Sequence, residues 1–233
     1  MNGDTQHEPE YRGLLQQLRG SSSSVYMTLL SIIQGVTLSD VASVVESNSS
    51  HSTLVNWLLV LAMLVLIIAV WHLIMIDAIS LSWTPDLGDA LLPFGIGICQ
   101  LLLNHLIFLS LSLWLVVLAV TICLVEVVGG VVFVRWKAEV AADANRKLLP
   151  LLRQRQRSYL LHGLSGTVLF LFLGLFSLVA GVGSGDAVQG LRGLLATGMA
   201  VLAIVWVASL LLTSRAYWHA VVAYARTGQM PDS

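Results

Sequence analysis

LWLVVLAVTICLVEVVGGVVFV, residues 113–134, runs directly into RWKAEVAADANRKLLPLLRQRQR, residues 135–157. The first stretch is apolar over 22 residues with one ionisable interruption, Glu126. A helix of ~20 apolar residues is long enough to cross a bilayer. The second stretch holds seven of the chain's twelve Lys and Arg: Arg135, Lys137, Arg146, Lys147, Arg153, Arg155 and Arg157. A basic loop beside a span is held on the cytoplasmic side. The two stretches together predict an integral membrane protein and the way up it sits.

Composition agrees. The chain is 57% hydrophobic and 11% charged, with a mean hydropathy of +0.84. A soluble domain carries about 25% charged residues, so lipid is the expected solvent. The net charge of -1 says little, because the charges are segregated along the chain. Cys99 and Cys123 both lie inside apolar runs. That excludes a disulfide framework and lacks metal-ligand spacing. The polar start, with Arg12 and Arg19, lacks the pattern of a cleaved signal peptide.

Working outward from the opening stretch, hydropathy predicts an all-α fold: a polytopic integral membrane protein built as a six-transmembrane-helix bundle. The spans are expected at about 25–46, 54–79, 86–108, 113–134, 159–182 and 194–214. Residues 1–24 and 215–233 are expected as cytoplasmic tails, with a short amphipathic turn in the first and a surface helix in the second. Residues 135–158 form the basic loop. In the first span, Asp40 costs up to ~3 kcal/mol at the bilayer centre. Ser24, Thr28, Ser31, Gly35, Ser39 and Ala42 share one stripe of that helix. Small stripes let membrane helices approach closely, so this span is expected inside the bundle, with a re-entrant or interfacial helix as the alternative. Pro93 is expected to kink the third span. The turn to the fourth is placed at 109–112, and Pro150 is expected to end a helix running on from it. Gly174, Ser177 and Gly181 form a close-packing face of the fifth span.

Six spans put both ends on one side. With that side cytoplasmic, the inside holds Arg12, Arg19, Arg135, Lys137, Arg146, Lys147, Arg153, Arg155, Arg157, Arg215 and Arg226, and the outside only Arg192: eleven against one. Five spans would reduce this to nine against three. Trp57 and Trp114 fall at expected outer ends, and Trp83, Trp136 and Trp218 at inner ends, where aromatic belts form. Trp71 and Trp206 are read as bundle packing. A multi-pass protein of the cell (inner) membrane follows.

Polar groups in hydrocarbon are costly and each asks for a reason. At about 1.5 Å of rise per residue, Gln34, Gln100 and Glu126 fall within roughly one helical turn of the expected midplane. Asp40, Asn104 and His105 lie nearer the outside; His72, Asp77, Asp86 and Asp89 lie nearer the cytoplasm. Glu126 is the sharpest candidate, because a lone carboxyl there can exchange a proton or coordinate a cation. Its plainer reading is a hydrogen bond that holds helices together. His72 could relay a proton, its plainer reading being a packed histidine. Arg153, Arg155 and Arg157 could bind anionic lipid headgroups, or simply retain the loop inside.

The sequence contains no HExxH, GxSxG, Walker loop or CxxC, so no enzyme is expected, and no cofactor or metal. The expected function is transport: a small channel or carrier passing an ion or proton along Gln34, Gln100, Glu126, His72 and Asp40. The alternative is a non-catalytic membrane subunit, anchor or assembly factor. Expected partners are the lipid bilayer and either a second copy or another membrane protein, with no nucleic acid.

Overall fold

A computed structural model describes residues 7–81, 87–140, 149–179 and 189–227. The described residues form six α-helices: α1 (His7–Asn48), α2 (Leu54–Leu81), α3 (Leu87–Leu106), α4 (Leu111–Val140), α5 (Leu149–Val179) and α6 (Gln189–Thr227). Four contain stretches long and apolar enough to cross a membrane: Ser24–Asn48, Leu54–Ile76, Gln156–Val179 and Leu194–His219. The apolar stretches described in α3 and α4 are shorter, Pro93–Leu106 and Leu111–Glu126. Large apolar side chains such as Ile68, Leu102, Phe172 and Leu212 point outward from the bundle. Such a surface is compatible with a multi-pass membrane protein.

The turns follow from local chemistry. A single 3₁₀ turn, Ser49–His51, leads from α1 to α2. Thr53 and Asn56 then cap α2 reciprocally. Asn56 N–H donates to Thr53 Oγ1 (3.3 Å), and Thr53 N–H donates to Asn56 Oδ1 (2.9 Å). Asn56 Nδ2 also donates to Ile107 O at 2.6 Å, tying the start of α2 to the α3–α4 turn. That turn spans 107–110 rather than 109–112. The reason is Ser110, whose Oγ accepts from Leu113 N–H at 3.3 Å and starts α4 two residues early.

Helices continue past the expected span ends. α1 begins at His7 and passes unbroken through Ser21–Ser24, so the expected tail and its short turn are one helix with the first span. α6 continues to Thr227 instead of breaking into a separate surface helix. Pro150 does not end a helix; it is the second residue of α5, where its missing N–H would have had no helical partner. The expected loop 135–158 is therefore helical on both flanks, as Arg135–Val140 in α4 and Leu149–Ser158 in α5. Pro93 lies inside α3.

The core centres on α2, with 56% of its apolar stretch buried, against 22% for α1 and 28% for α5 and α6. Leu59, Met63 and Leu66 of α2 meet Leu103 of α3, Leu115 and Leu118 of α4, Phe170 of α5 and Ala203 of α6 in one buried cluster. The expectation that the first span lies inside the bundle is corrected here. Ser24, Thr28, Ser31, Gly35, Ser39 and Ala42 all face outward. α1 turns Tyr26, Leu30, Ile33 and Val41 inward instead, and Val25, Ile32, Val36 and Leu38 outward. Trp114 is buried in the core rather than sitting in a belt, and Trp71 faces partly outward. Trp206 packs edge-on against Phe170, with ring centroids 5.6 Å apart.

α4 and α5 form a long antiparallel hairpin. Ser112 Oγ donates to Ser177 Oγ at 2.8 Å, both buried. Farther along, Gly174 lies against Val116, and Gly163 against Glu126. Gly174 and Ser177 thus pack closely as expected, while Gly181 lies outside the described residues.

Candidate functional site

The polar side chains gather along one helix–helix seam. α1 and α3 run parallel there, because residues rising along α1 meet residues rising along α3. Ile33 meets Gly97, Thr37 meets Asn104, and Asp40 meets Asn104 and His105. Gly97 sets the closeness. A methyl group at its α-carbon would lie 2.6 Å from Ile33 Cγ2. Toward the start of both helices the buried residues are apolar: Leu30 and Tyr26 on α1, Ile96 on α3.

Above the Ile33–Gly97 contact the seam turns polar. Asn104 is fully buried. Its Nδ2 donates to Thr37 O at 3.2 Å and to Asp40 Oδ2 at 2.9 Å. Asp40 Oδ2 also lies 3.7 Å from His105 Nδ1, which is 3.1 Å from Leu101 O. Asp40 is 23% exposed and His105 62% exposed, so this pair forms the mouth of the seam. The sequence placed Asp40, Asn104 and His105 at one depth, and in the fold they touch.

Gln34 and Gln100 lie between the mouth and the Ile33–Gly97 contact. Taking Ile33 and Gly97 as level, they differ in depth by about 3 Å at the helical rise. Gln34 is 7% exposed and Gln100 is 0% exposed. Neither Oε1 nor Nε2 of either residue has a hydrogen-bond partner among the described residues, and neither does Asn104 Oδ1. Burying an amide without partners costs ~1–3 kcal/mol. The great majority of buried polar atoms in folded proteins have partners. Five unpaired atoms on α1 and α3 therefore call for something that the described residues do not supply.

Glu126 does not join the glutamines. It lies on the α4–α5 interface, with its carboxyl against Gly163. Gly95 of α3 faces Leu124 of α4, so in these antiparallel helices Glu126 is level with about residue 93. That is about 10 Å from the level of Gln100. The expected three-residue midplane group is thus divided between two interfaces. His72 lies elsewhere again, on α2, with Nδ1 hydrogen-bonded to the fully buried Ser214 Oγ of α6 at 2.7 Å. Arg153 and Arg157 are exposed near the start of α5. Asp86 lies outside the described residues, as do the side chains of Asp77, Asp89 and Arg155.

Two partners were not singled out from the sequence. Ser214 sits in a run of small and apolar residues with nothing to mark it, so only the fold reveals its bond to His72. Thr37 contributes a backbone carbonyl, which has no sequence signature. Asn104 was visible as a polar residue in an apolar run but reads equally well as a helix end. Among the described residues, no group of three or more His, Cys, Asp and Glu is arranged to hold a metal ion. Compared with protein-family models, curated proteins and solved structures, the chain has no significant match.

Proposed function

We propose that the chain is a six-span protein of the cell (inner) membrane, both ends cytoplasmic, that passes an ion or proton along the α1–α3 seam. The observation that carries this reading is the pair of buried glutamines, Gln34 and Gln100, whose amides have no hydrogen-bond partner among the described residues. Polar groups inside a membrane are retained where they face a partner or a hydrated path. Asp40 and His105 stand at the mouth, Asn104 follows, and the glutamines lie deepest. The close Ile33–Gly97 contact then shuts the path toward the cytoplasm. Glu126 and His72 fall on other interfaces, and this reading gives them no place on the path. Transport, not catalysis, is the activity proposed.

Reconstitution tests it. Liposomes containing the purified chain should dissipate a pH or salt gradient faster than empty ones. Gln100→Leu should cut that rate at least tenfold while eluting as the same folded species. An unchanged rate in this variant would rule out the seam. The threading is tested separately, with a membrane-impermeant maleimide and single cysteines in a background lacking Cys99 and Cys123. Cysteines at Thr5 and Arg157 should react only from the cytoplasmic side, and one at Ser52 only from outside. Labelling of Thr5→Cys and Arg157→Cys from opposite faces would reject six spans.

A second reading is favoured by α1. Its stripe of small residues from Ser24 to Ala42 faces outward, and Gly35 has no atom within 4 Å of where a side chain would start. Such a face suits close approach by another membrane helix. In this reading the chain is a non-catalytic subunit or assembly partner. Gradient dissipation by the purified chain alone would exclude it.

A further inference from the structure

Resting on the transport reading of the same seam, we infer that Gln34, Gln100, Asn104 and Asp40 form a binding site for a dehydrated alkali-metal cation. The donor chemistry supports this directly. Asn104 spends Nδ2 on Thr37 O and Asp40 Oδ2, which leaves its Oδ1 as the group without a partner. The two glutamine amides have no hydrogen-bond partner among the described residues. Rotating an amide by a half-turn exchanges its oxygen and nitrogen, so each glutamine can present a carbonyl oxygen. Three amide oxygens, all on side chains more than nine-tenths buried, therefore lie on the two helices that make the seam.

Position and charge narrow the ligand. Gln100 and Asn104 are four residues apart and share one face of α3; Gln34 and Thr37, three apart, share one face of α1. Asp40 lies about 9 Å along α1 from Gln34, close enough to balance a single positive charge and exposed enough to admit it. Carbonyl oxygens replace the hydration shell of an alkali cation in membrane filters. Divalent cations require several carboxylates or retained waters, and the seam offers one carboxylate among its described residues. Soft metals require thiolate or imidazole donors; the seam's imidazole, His105, is turned to Leu101 O at the mouth. An anion would meet Asp40 first and be repelled.

The test uses the full-length chain in detergent, melted in lithium, sodium, potassium or choline chloride at equal ionic strength, with ²²Na and ⁸⁶Rb binding measured alongside. At least one alkali cation should raise the melting temperature above its value in choline and show saturable binding. Asp40→Asn should weaken that binding at least tenfold. Gln100→Leu, or Gln34→Leu if the first fails to fold, should abolish both effects. Ser177→Ala, on the α4–α5 interface, should change neither. Equal melting in all four salts with no saturable binding would overturn the inference, as would full binding by a folded Gln100→Leu protein. Proton flux without alkali binding would overturn the cation site and leave the transport reading standing. Binding without any flux would do the reverse.

Discussion

Gly174→Leu should separate α4 from α5 and lower the melting temperature sharply. A β-carbon at Gly174 would lie 2.8 Å from Val116 Cγ2, 3.0 Å from Ser112 O and 3.1 Å from Val116 N. Two of those three atoms are backbone, so no rotamer change on α4 relieves the clash. The helices must move apart, and the buried Ser112–Ser177 hydrogen bond, three residues along α5, is lost with them. Overpacking of a tight interface costs ~1–3 kcal/mol and sometimes more. An interhelical hydrogen bond in a membrane protein adds ~0.6 kcal/mol on average. The expected result is about 3 kcal/mol of destabilisation, read by tryptophan fluorescence melts and by loss of the monodisperse peak. Gly35→Leu supplies the control. Nothing lies within 4 Å there, so the same substitution should leave the melt of the isolated chain unchanged.

The double variant Gln34→Leu/Gln100→Leu should behave in the opposite way, gaining stability, and on the proposed transport reading it should also lose flux. Leucine is close to glutamine in volume and brings no polar atoms, so it removes four buried groups that have no partner among the described residues. Removing such groups recovers ~1–3 kcal/mol per amide. The double variant should therefore be more stable by roughly 2–6 kcal/mol in choline chloride, where no alkali cation offsets the cost. Functional sites commonly carry destabilised groups that selection retains for activity. A double variant that melts lower than the parent would show that the amides are satisfied in the membrane protein and hold α1 to α3.

The helices were largely legible in the sequence because hydrocarbon imposes a length and a composition on anything that crosses it. Leu54–Ile76 could hardly be read otherwise. The polar part of α1 before Ser24 carried no comparable signal, since hydropathy reports what faces lipid and not whether a backbone is helical. The candidate groups were legible one at a time, because Gln34, Gln100 and Glu126 each interrupt an apolar run. Their grouping was not. Depth along a helix follows from where the helix begins, and α4 starts two residues before the expected position and extends to Val140. The side to which each residue turns depends on tertiary contacts. Glu126 is aimed at α5 because Gly163 leaves room for its carboxyl there, and no periodicity in either helix records that match. The small stripe of α1 misled in the same way, since Gly35 permits close approach but does not state whose.

α1 is a single rod of 42 residues, about 63 Å from end to end, roughly twice the ~30 Å thickness of a bilayer's hydrocarbon. It carries Ile33, Gln34 and Asp40, and its one proline, Pro9, sits in the first turn, where it breaks nothing. One continuous helix thus joins His7 to Ile33. A partner that turns the length before Ser24 should therefore turn Ile33 against Gly97 as well.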